Sequence, residues 1–425
     1  MNTPRNRERG QALILIAFAF VALIGFTALA IDGGMVYSDR RHAQNASDAG
    51  SLAGGGAAAL SMENDHVFYA DFTCGSSGVD AAIAEAENAA ENLMLANEYT
   101  STDITVTTDC QDSDGSYFEE KYIDITTQII KDTDTALIHF VYDGPVQNLV
   151  DATTRVKPRS PLAFGHAVVS LNDNASCGNM SKEGVVFSGN GTTHIDGGGV
   201  WSNGCLKSTS SSCNVGVDNG SIMFGGGSFG DMCGGNMSPS PGYQGEQLPD
   251  DSYSVSTPDC SASGAVTVSS ISKNTDLNAA YPGASLICVT SSGNAIKISS
   301  GYLYGQGITI YLVNGGDIEI SGGDIDLSAP SADPDPDPGL PGILFYVNPV
   351  RDSVINLNGN NESKYLGVIL APRGDVSLTG SSGTYPTFNT QIISWNVEIS
   401  GNATVDINFN QTWAYSKPTS IDLEE

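Results

Sequence analysis

The stretch ALILIAFAFVALIGFTALAI, residues 12–31, decides how this chain is organised. Its 20 residues carry no charge, and only Gly25 and Thr27 interrupt the apolar run. A helix rises about 1.5 Å per residue, so this stretch spans about 30 Å, the thickness of the hydrocarbon core of a bilayer. The stretch therefore predicts a transmembrane helix. Its expected membrane-anchor residues include Ala12, Leu15, Phe20, Ile24 and Ile31.

Charges before this stretch predict its orientation. Arg5, Arg7 and Arg9 precede it, against a single acidic residue, Glu8. Basic flanks of a transmembrane helix stay on the cytoplasmic side. Residues 1–31 are therefore expected to form a cytoplasmic basic segment and a signal-anchor helix. The protein is then a single-pass protein of the cell membrane, with its N-terminus in the cytoplasm and its bulk at the cell surface.

A cleaved secretory signal is the alternative interpretation of the same stretch. Ala28-Leu29-Ala30 has the small-x-small pattern of a cleavage site. The apolar run is longer than the usual apolar core of a signal peptide, which is about 7–15 residues, and this length favours the anchor. In either case the bulk of the chain leaves the cytosol.

The charge balance excludes one class of partner. The chain has 18 basic and 48 acidic side chains and a net charge of −30. Without the three N-terminal arginines and Glu8, 15 basic and 47 acidic side chains remain, a net charge of −32. Such a surface repels nucleic acid phosphates and anionic lipid headgroups, so we expect no nucleic acid partner.

The cysteine pattern indicates disulfides. The chain has eight cysteines, an even number, and none of them forms a CxxC motif or has a histidine at zinc-site spacing. An even count outside the cytosol is typical of disulfide bonds. Cys74 and Cys110 bracket one region and the other six cysteines fall in the next, and the sequence leaves their pairing open.

Residues 32–157 predict a small α+β domain. The membrane helix is expected to continue to about Leu52, before Gly54-Gly55-Gly56 loosens it. Residues 79–99 show apolar side chains every three or four positions, as in an amphipathic helix. Alternating apolar and polar residues then predict strands at 104–108, 122–130 and 136–142.

The N-terminal segment resembles a known family. The residues that carry the resemblance are, in order, Arg-Gly-Gln (9–11), the apolar run, Ala-Ile-Asp-Gly-Gly (30–34), Tyr37, Arg-Arg (40–41), Gln-Asn (44–45) and Ala-Ser-Asp-Ala-Gly (46–50). Their order and spacing resemble the TadE/TadG-like family of the tight-adherence (Flp) pilus-assembly systems, over roughly residues 1–60. The resemblance implies pilus-assembly or pilin-like proteins as partners. It also implies a pilin-like plan for residues 32–157.

One position separates this chain from the pilins of those systems. The pilins carry Glu five residues after the glycine at which they are cleaved, and Leu15 stands at that position here. The resemblance therefore implies an accessory protein rather than a major pilin. We predict helix-partner contacts just beyond the membrane, besides contacts of the span with membrane lipid, because residues three or four apart share one side of a helix. The predicted contact residues are Asp32, Tyr37, Arg40, Arg41 and Gln44.

Residues 162–425 predict an all-β domain that follows the stiff connector Lys157-Pro158-Arg159-Ser160-Pro161. Gly, Ser and Asn are abundant, and apolar alternations of three to five residues recur at intervals of about 7–12 residues. GGDIEISGGDIDL (315–327) is one example. Very short strands with Gly and Asn at the corners favour a right-handed parallel β-helix. A β-sandwich is the alternative.

Two patterns look like sites of chemistry, and each lacks an essential part. Residues 226–230 spell GxSxG, but a nucleophile elbow needs a helix after the serine and none is indicated. Residues 109–115, DCQDSDG, look partly like a calcium loop, with Cys110 at the first ligand position and Lys121 where a bidentate Glu belongs. We therefore expect no cofactor and no catalytic or metal-binding residues. The alternating aspartates 333, 335 and 337 are interpreted as a solvated loop.

The sequence therefore predicts a non-catalytic, membrane-anchored accessory protein of pilus assembly or adhesion, able to display a surface or polysaccharide ligand site. A tethered or secreted β-helix polysaccharide lyase or hydrolase is the first alternative, since many β-helices degrade polysaccharides. Its ingredients would be Asp324, Asp326, Arg351, Asp352 and Arg373. Nothing in the sequence ties them into one constellation. A purely structural envelope protein is the second alternative.

Overall fold

The structure is a computed structural model, and it describes residues 9–424 except 139–141, 143, 176, 179–182, 231, 332–336, 360–362 and 381–386. The chain divides into two compact units. The first comprises Met1–Arg159 together with Pro418–Glu425, and the second comprises Ser160–Lys417. The sequence analysis placed residues 418–425 with the β-rich region, and the structure places them in the first unit because they pair with a strand of its sheet.

The first unit begins with one helix, α1 (Arg9–Asn64), of 56 residues. It runs 12 residues beyond the predicted end at Leu52, straight through Gly54-Gly55-Gly56. A Cβ atom on Gly54 would lie 2.9 Å from the carbonyl oxygen of Ala86, and one on Gly55 would lie 2.6 Å from Thr154 Cγ2. These glycines are therefore points of close packing on an intact helix, and the prediction that they loosen it is wrong.

A second helix, α2 (Ser77–Ala96), matches the amphipathic pattern of the sequence. Its buried face consists of residues three or four positions apart, namely Val79, Ala82, Ala86, Ala90 and Met94. Four of these pack in the same core as Ala58 and Met62 of α1. Because most of these side chains are small, the two helices approach closely.

The sheet of the first unit is antiparallel and four-stranded, in the order β1-β2-β3-β31. Its strands are β1 (Ile104–Gln111), β2 (Tyr122–Thr133), β3 (Val146–Lys157) and β31 (Ser420–Glu424). The first two match predicted strands. The predicted strand at 136–142 does not form at the described residues 136–138 and 142, and residues 139–141 lie outside the described part of the chain. The backbone N–H groups of 136–138 bond to the carboxylate of Asp32 instead of to a neighbouring strand.

The second unit is built mostly of short strands. These are β4 (Ser160–Pro161), β5 (Val168–Ser170), β6 (Val185–Phe187), β7 (Thr192–Asp196), β8 (Val200–Ser202), β9 (Leu206–Ser208), β10 (Asn214–Asp218), β11 (Ile222–Phe224), β12 (Ser228–Phe229), β13 (Met237–Ser238), β14 (Gly242–Tyr243), β15 (Ala265–Val268), β16 (Thr275–Asp276), β17 (Leu286–Val289), β18 (Asn294–Ile298), β19 (Tyr302–Gly305), β20 (Thr309–Leu312), β21 (Asp317–Ile320), β22 (Asp324–Ser328), β23 (Ile343–Val347), β24 (Val354–Gly359), β25 (Lys364–Leu366), β26 (Val368–Gly380), β27 (Thr387–Asn389), β28 (Ile392–Gly401), β29 (Val405–Asn408) and β30 (Ser416–Lys417). A four-residue helix, α3 (Leu277–Ala280), and short 3₁₀ turns at Leu162–Gly165, Cys233–Gly235 and Asp250–Tyr253 complete it.

Most of these strands form parallel sheets, whereas β4 and β30 pair antiparallel with each other. A nine-stranded sheet has the order β13-β10-β7-β29-β27-β25-β22-β19-β16, and a 16-stranded sheet contains the path β14-β11-β8-β5-β28-β26-β23-β20-β17-β15. Paired residues lie 21 positions apart in Val185–Leu206, Ile355–Val376 and Val376–Val397. The late strand β28 pairs with the early strands β5 and β6. The end of this unit therefore lies against its beginning, in the middle of each sheet.

Apolar side chains fill the interior between the sheets, and four disulfides tie the loops. Trp201, Tyr346, Phe187 and Phe345 are among the largest fully buried side chains. All eight cysteines are paired, as Cys74–Cys110, Cys177–Cys205, Cys213–Cys233 and Cys260–Cys288. The prediction of disulfides is confirmed. The pairing that the sequence left open joins residues 20 to 36 positions apart.

Candidate functional site

The first half of α1 is apolar and uncovered by the chain. Phe20 is 62% exposed and Ile24 is 63% exposed, and Leu15 and Ile31 are also exposed. Within the described residues, α1 is the one helix long and apolar enough to cross a membrane, and its most apolar window has no buried residue. Arg5, Arg7 and the side chain of Ala12 lie outside the described residues. The predicted anchor thus has the exposure that a lipid-facing helix needs.

Asp32 ends this uncovered half, and it is buried. Only 4% of it is exposed. Its carboxylate accepts hydrogen bonds from the backbone N–H groups of Ala136 at 2.9 Å, Leu137 at 3.0 Å and Ile138 at 2.5 Å. Three donors around one carboxylate satisfy a charge that would otherwise be costly to bury. Asp32 therefore fixes the loop after β2 to the helix, whereas the sequence analysis assigned it to partner contacts.

The other predicted contact residues divide into two groups. Tyr37 is 65% exposed, and Arg40 and Arg41 are exposed on the same stretch of helix. Gln44 is half-buried, and its side-chain amide donates to Asp48 Oδ1 at 2.8 Å and to the carbonyl oxygen of Asp151 at 3.2 Å. Tyr37, Arg40 and Arg41 are thus available for a partner, whereas Gln44 is bonded within its own unit. Partner contacts at these positions stay a prediction.

The second half of α1 packs against the sheet through small residues. Ala43, Ala46, Ser47 and Ser51 are buried there. The Ser47 and Thr127 hydroxyl oxygens are 2.9 Å apart. The Thr154 hydroxyl donates to Ser51 Oγ at 2.9 Å. Within the motif Ala-Ser-Asp-Ala-Gly (46–50), Ser47 is thus bonded to the sheet and Gly50 lies against Met94 of α2.

A second candidate site is a polar cleft in the second unit, with a volume of about 540 Å³. Its lining includes Asp317, Asp352, Arg373, Asp375, Trp395 and Asn396. Parallel pairing creates it, because the register aligns Val354 with Asp375 and Asp375 with Asn396. The register shifts between Ala371 and Asp375. The cleft therefore lies where the pairing of β26 with β28 is interrupted.

Hydrogen bonds fix the polar groups of this cleft. Asn396 Nδ2 donates to Asp375 Oδ1 at 2.7 Å, and the Val354 N–H donates to Asp317 Oδ1 at 2.9 Å. Arg373 Nε lies 3.4 Å from Asp352 Oδ1. Burial raises the pKa of Asp375, and the negative charges of Asp352 and Glu183 raise it further. Asp375 is thus a carboxyl group with two negatively charged neighbours.

The comparison with known protein families found a match within α1. Residues 10–59 match the model of the TadE/G-like Flp pilus-assembly family. The matched segment of this family spans both halves of α1, so the resemblance seen in the sequence is confirmed. The family match supports a pilus-related role. No curated protein and no solved structure matches the chain.

The GxSxG pattern (226–230) and the calcium-like stretch (109–115) lie outside the matched segment. Among the described residues, neither has the geometry of a catalytic or metal-binding site. Ser228 lies in β12, and the segment that follows is the 3₁₀ turn Cys233–Gly235 rather than a helix. In the calcium-like stretch, Cys110 is disulfide-bonded and Asp112 Oδ2 accepts from the N–H of Cys74 at 2.9 Å. No cluster suited to a metal ion occurs in the part of the chain that was described. Asp333 and Asp335 lie outside it.

The charged residues of the polysaccharide-enzyme alternative fall into separate places. Asp324 and Asp326 point outward from β22, where Tyr304 and Gln306 donate to their carboxylates. Asp352 and Arg373 line the cleft together with Asp317, Asp375 and Trp395, which sequence reasoning missed. Arg351 is exposed and is not among the lining residues. One sequence pattern could have revealed these lining residues. An Asp or Asn stands directly before an alternating apolar segment in DIEI (317–320), DVSL (375–378) and NVEI (396–399).

Proposed function

We propose that this protein is a membrane-anchored accessory protein of Flp-type pilus assembly or adhesion, displayed outside the cytoplasm and without catalytic activity. One observation carries the proposal. The segment that matches the pilus-assembly family is a single helix whose first half is apolar and uncovered and whose second half is packed into a folded unit. A helix built in this way holds a folded body next to a bilayer.

The orientation follows from charge. Arg5, Arg7 and Arg9 precede the span, so residues 1–31 hold the N-terminus in the cytoplasm and cross the membrane once. The acidic remainder, with its four disulfides, lies beyond the membrane at the cell surface. Lipid covers the exposed apolar side chains of residues 13–31.

We assign the remainder to two domains. Residues 32–157, with the pairing of β31, form a pilin-like α+β domain. Residues 162–417 form a right-handed parallel β-helix. The parallel ladders with a spacing of 21 residues, the short strands and the inward Ile, Val and Leu side chains support a β-helix rather than a sandwich.

The partner surface lies on α1 beyond the span. Tyr37, Arg40 and Arg41 offer one aromatic ring and two guanidinium groups that the rest of the unit leaves exposed. Arg and Tyr are favourable interface residues because they combine an apolar body with a polar end. A pilin-like or pilus-assembly protein is the proposed partner. Asp32 and Gln44 support this surface from within the fold.

Lack of catalysis is part of the proposal. The outward carboxylates of Asp324 and Asp326 are engaged by neutral donors, on a sheet that the cleft residues do not share. Among the described residues that line the cleft, the basic one is Arg373, whose side chain is exposed and lies beside Asp352. A lyase needs a base held against its substrate, and an exposed guanidinium is a poor base because it stays protonated.

The test is photocrosslinking in the native membrane. A photoreactive phenylalanine analogue replaces Tyr37 in the full chain. A matched variant carries it at Leu95, which is exposed on α2. We expect position 37 to crosslink to a pilus-assembly or pilin-like protein and position 95 to give no such product. Equal crosslinking at both positions, or none at position 37, would contradict the proposed partner surface.

A further inference from the structure

The cleft of the second unit holds polar groups that the protein leaves available. Within the described residues, the indole N–H of Trp395 has no acceptor, and Asp375 Oδ2 has no donor. The guanidinium of Arg373 is 59% exposed and its one recorded partner there is Asp352. Residues with donors and acceptors therefore line a cleft of about 540 Å³, which is the size of a small-ligand site.

Hydrogen bonds to the Asn396 side chain fix the position of the Asp375 carboxylate. Asn396 donates to Asp375 and accepts from the N–H of Gly184 at 2.7 Å and from Asn172 Nδ2 at 2.9 Å. Its amide is thus fixed by three bonds, and the orientation of the Asp375 carboxylate is fixed with it. Gly315 also matters, because a Cβ there would lie 2.4 Å from the carbonyl oxygen of Asp352. The chain passes too close at that point for any side chain.

Charge selects among ligands. Three carboxylates and one guanidinium line the cleft, a net charge of −2 from Asp317, Asp352, Asp375 and Arg373. Asp375 has Asp352 and Glu183 as negative neighbours, and its pKa is raised. A bound cation would relieve this repulsion. An anionic ligand such as a uronic acid polymer would add to it.

An aromatic ring defines the shape of the ligand. Trp395 is half-buried and lies among the polar lining residues. An indole offers a broad apolar face with one polar edge, and the face attracts cations as well as C–H groups. A pyranose ring has a C–H face and a rim of hydroxyl groups. The hydroxyls match the donors and acceptors of Arg373, Asp375 and Asn396.

We propose that this cleft binds an oligosaccharide that carries protonated amino groups, with a sugar ring against Trp395 and an ammonium group beside Asp352 and Asp375. This site goes beyond the proposed anchoring and pilus role, and it stands independently of the partner surface on α1. A protein held at the cell surface would use it to attach to amino-sugar polymers.

The test is calorimetric titration of the full chain in lipid nanodiscs. The probes are the hexamer of β-1,4-linked glucosamine, its fully N-acetylated form and a galacturonate hexamer. We expect binding of the glucosamine hexamer, binding at least fivefold weaker for the N-acetylated form, and none for the galacturonate hexamer. Trp395→Ala and Asp375→Asn should each weaken glucosamine-hexamer binding about tenfold, through loss of the stacking face and of a charge-assisted hydrogen bond.

Matched controls separate this site from general charge attraction. Glu85→Gln removes one exposed carboxylate from α2 and should leave the affinity unchanged. Trp395→Phe keeps an aromatic face and should retain most of the affinity that Trp395→Ala loses. Equal binding of all three hexamers, or binding that Trp395→Ala and Asp375→Asn leave intact, would overturn the proposal. Mass spectrometry of the recovered hexamer should show it intact. Shortened products would support the ligand class and contradict the proposed lack of catalysis.

Discussion

The two halves of α1 are one continuous helix, yet they are covered in opposite ways. Residues 13–31 are the more apolar half, and the chain leaves them exposed. Residues 43–62 are rich in Ala, Gly and Ser, and their inner face is buried against α2 and the sheet. Burial within this protein therefore follows side-chain size and fit rather than hydrophobicity alone. Another apolar medium must cover the first half.

The boundary between the halves is marked by Asp32. A buried carboxylate with three backbone donors cannot lie in hydrocarbon without those donors. The loop at 136–138 supplies them, so folded structure begins at this residue. The uncovered half then has the length of a span, and the covered half begins about two to three turns later. The predictions below test this division.

The largest expected effect concerns the uncovered half. The double variant Phe20→Arg/Ile24→Arg places two charges near the middle of the span, at a cost of about 6 kcal/mol for membrane insertion. We expect insertion to fall to background in a membrane-insertion assay with a glycosylation reporter. The free energy of unfolding of the first unit should not change. Normal membrane insertion of this variant would contradict the assignment of the uncovered half of α1 as the membrane span.

The boundary comes next. Asp32→Ala leaves three backbone N–H groups without their acceptor and should reduce the free energy of unfolding by about 3 kcal/mol. Asp32→Asn keeps one acceptor oxygen and should lose less. Asp39→Ala, at an exposed position on the same helix, is the control and should stay within about 0.5 kcal/mol. Urea denaturation in detergent micelles measures all three, and equal stability of Asp32→Ala and wild type would argue against a structural role for Asp32.

The covered half is tested by its close approaches. Gly54→Leu inserts a side chain where even a Cβ would lie 2.9 Å from the Ala86 oxygen, and overpacking should cost about 2 kcal/mol. Gly56→Leu is the matched variant, since nothing lies within 4 Å of its Cβ. It should stabilise the helix by about 0.5 kcal/mol. A similar gain in both variants would mean that helix propensity, and not packing, governs this half.

The smallest effect is expected on the outer side of the covered half. Leu60 is 64% exposed, so Leu60→Ala should change the free energy of unfolding by less than about 0.5 kcal/mol. Membrane insertion should also be unchanged. A loss above about 2 kcal/mol in the same urea titration would show that Leu60 is covered in the folded protein, and that the covered half extends around the helix.

Features that depend on local pattern could be predicted from the sequence. The span, α2 and strands β1 and β2 follow from runs and periodicities of neighbouring residues. The strand predicted at 136–142 does not form at 136–138 because Asp32, 104 residues before Ala136, takes the N–H group of that residue. Gly54 and Gly55 were misjudged because they have packing partners on α2 and β3.

Long-range order accounts for what the sequence did not show. Pairing of β31 with β3 joins residues that are far apart along the chain, and no local pattern encodes it. The meeting of β28 with β5 and β6 has the same character. The cleft depends on the register of β26 with β28, since it aligns Asp375 with Asn396. Asp352 and Arg373 were noted as charged residues, and only the register brings Trp395 to them.

The most direct test of the central claim is alkaline carbonate extraction of membranes from cells that express the wild-type chain. If residues 13–31 are covered by lipid, the full-length protein remains in the membrane pellet and enters solution only with detergent. Release of the intact chain into the carbonate supernatant would contradict the account, because the uncovered half of α1 would then need a different cover.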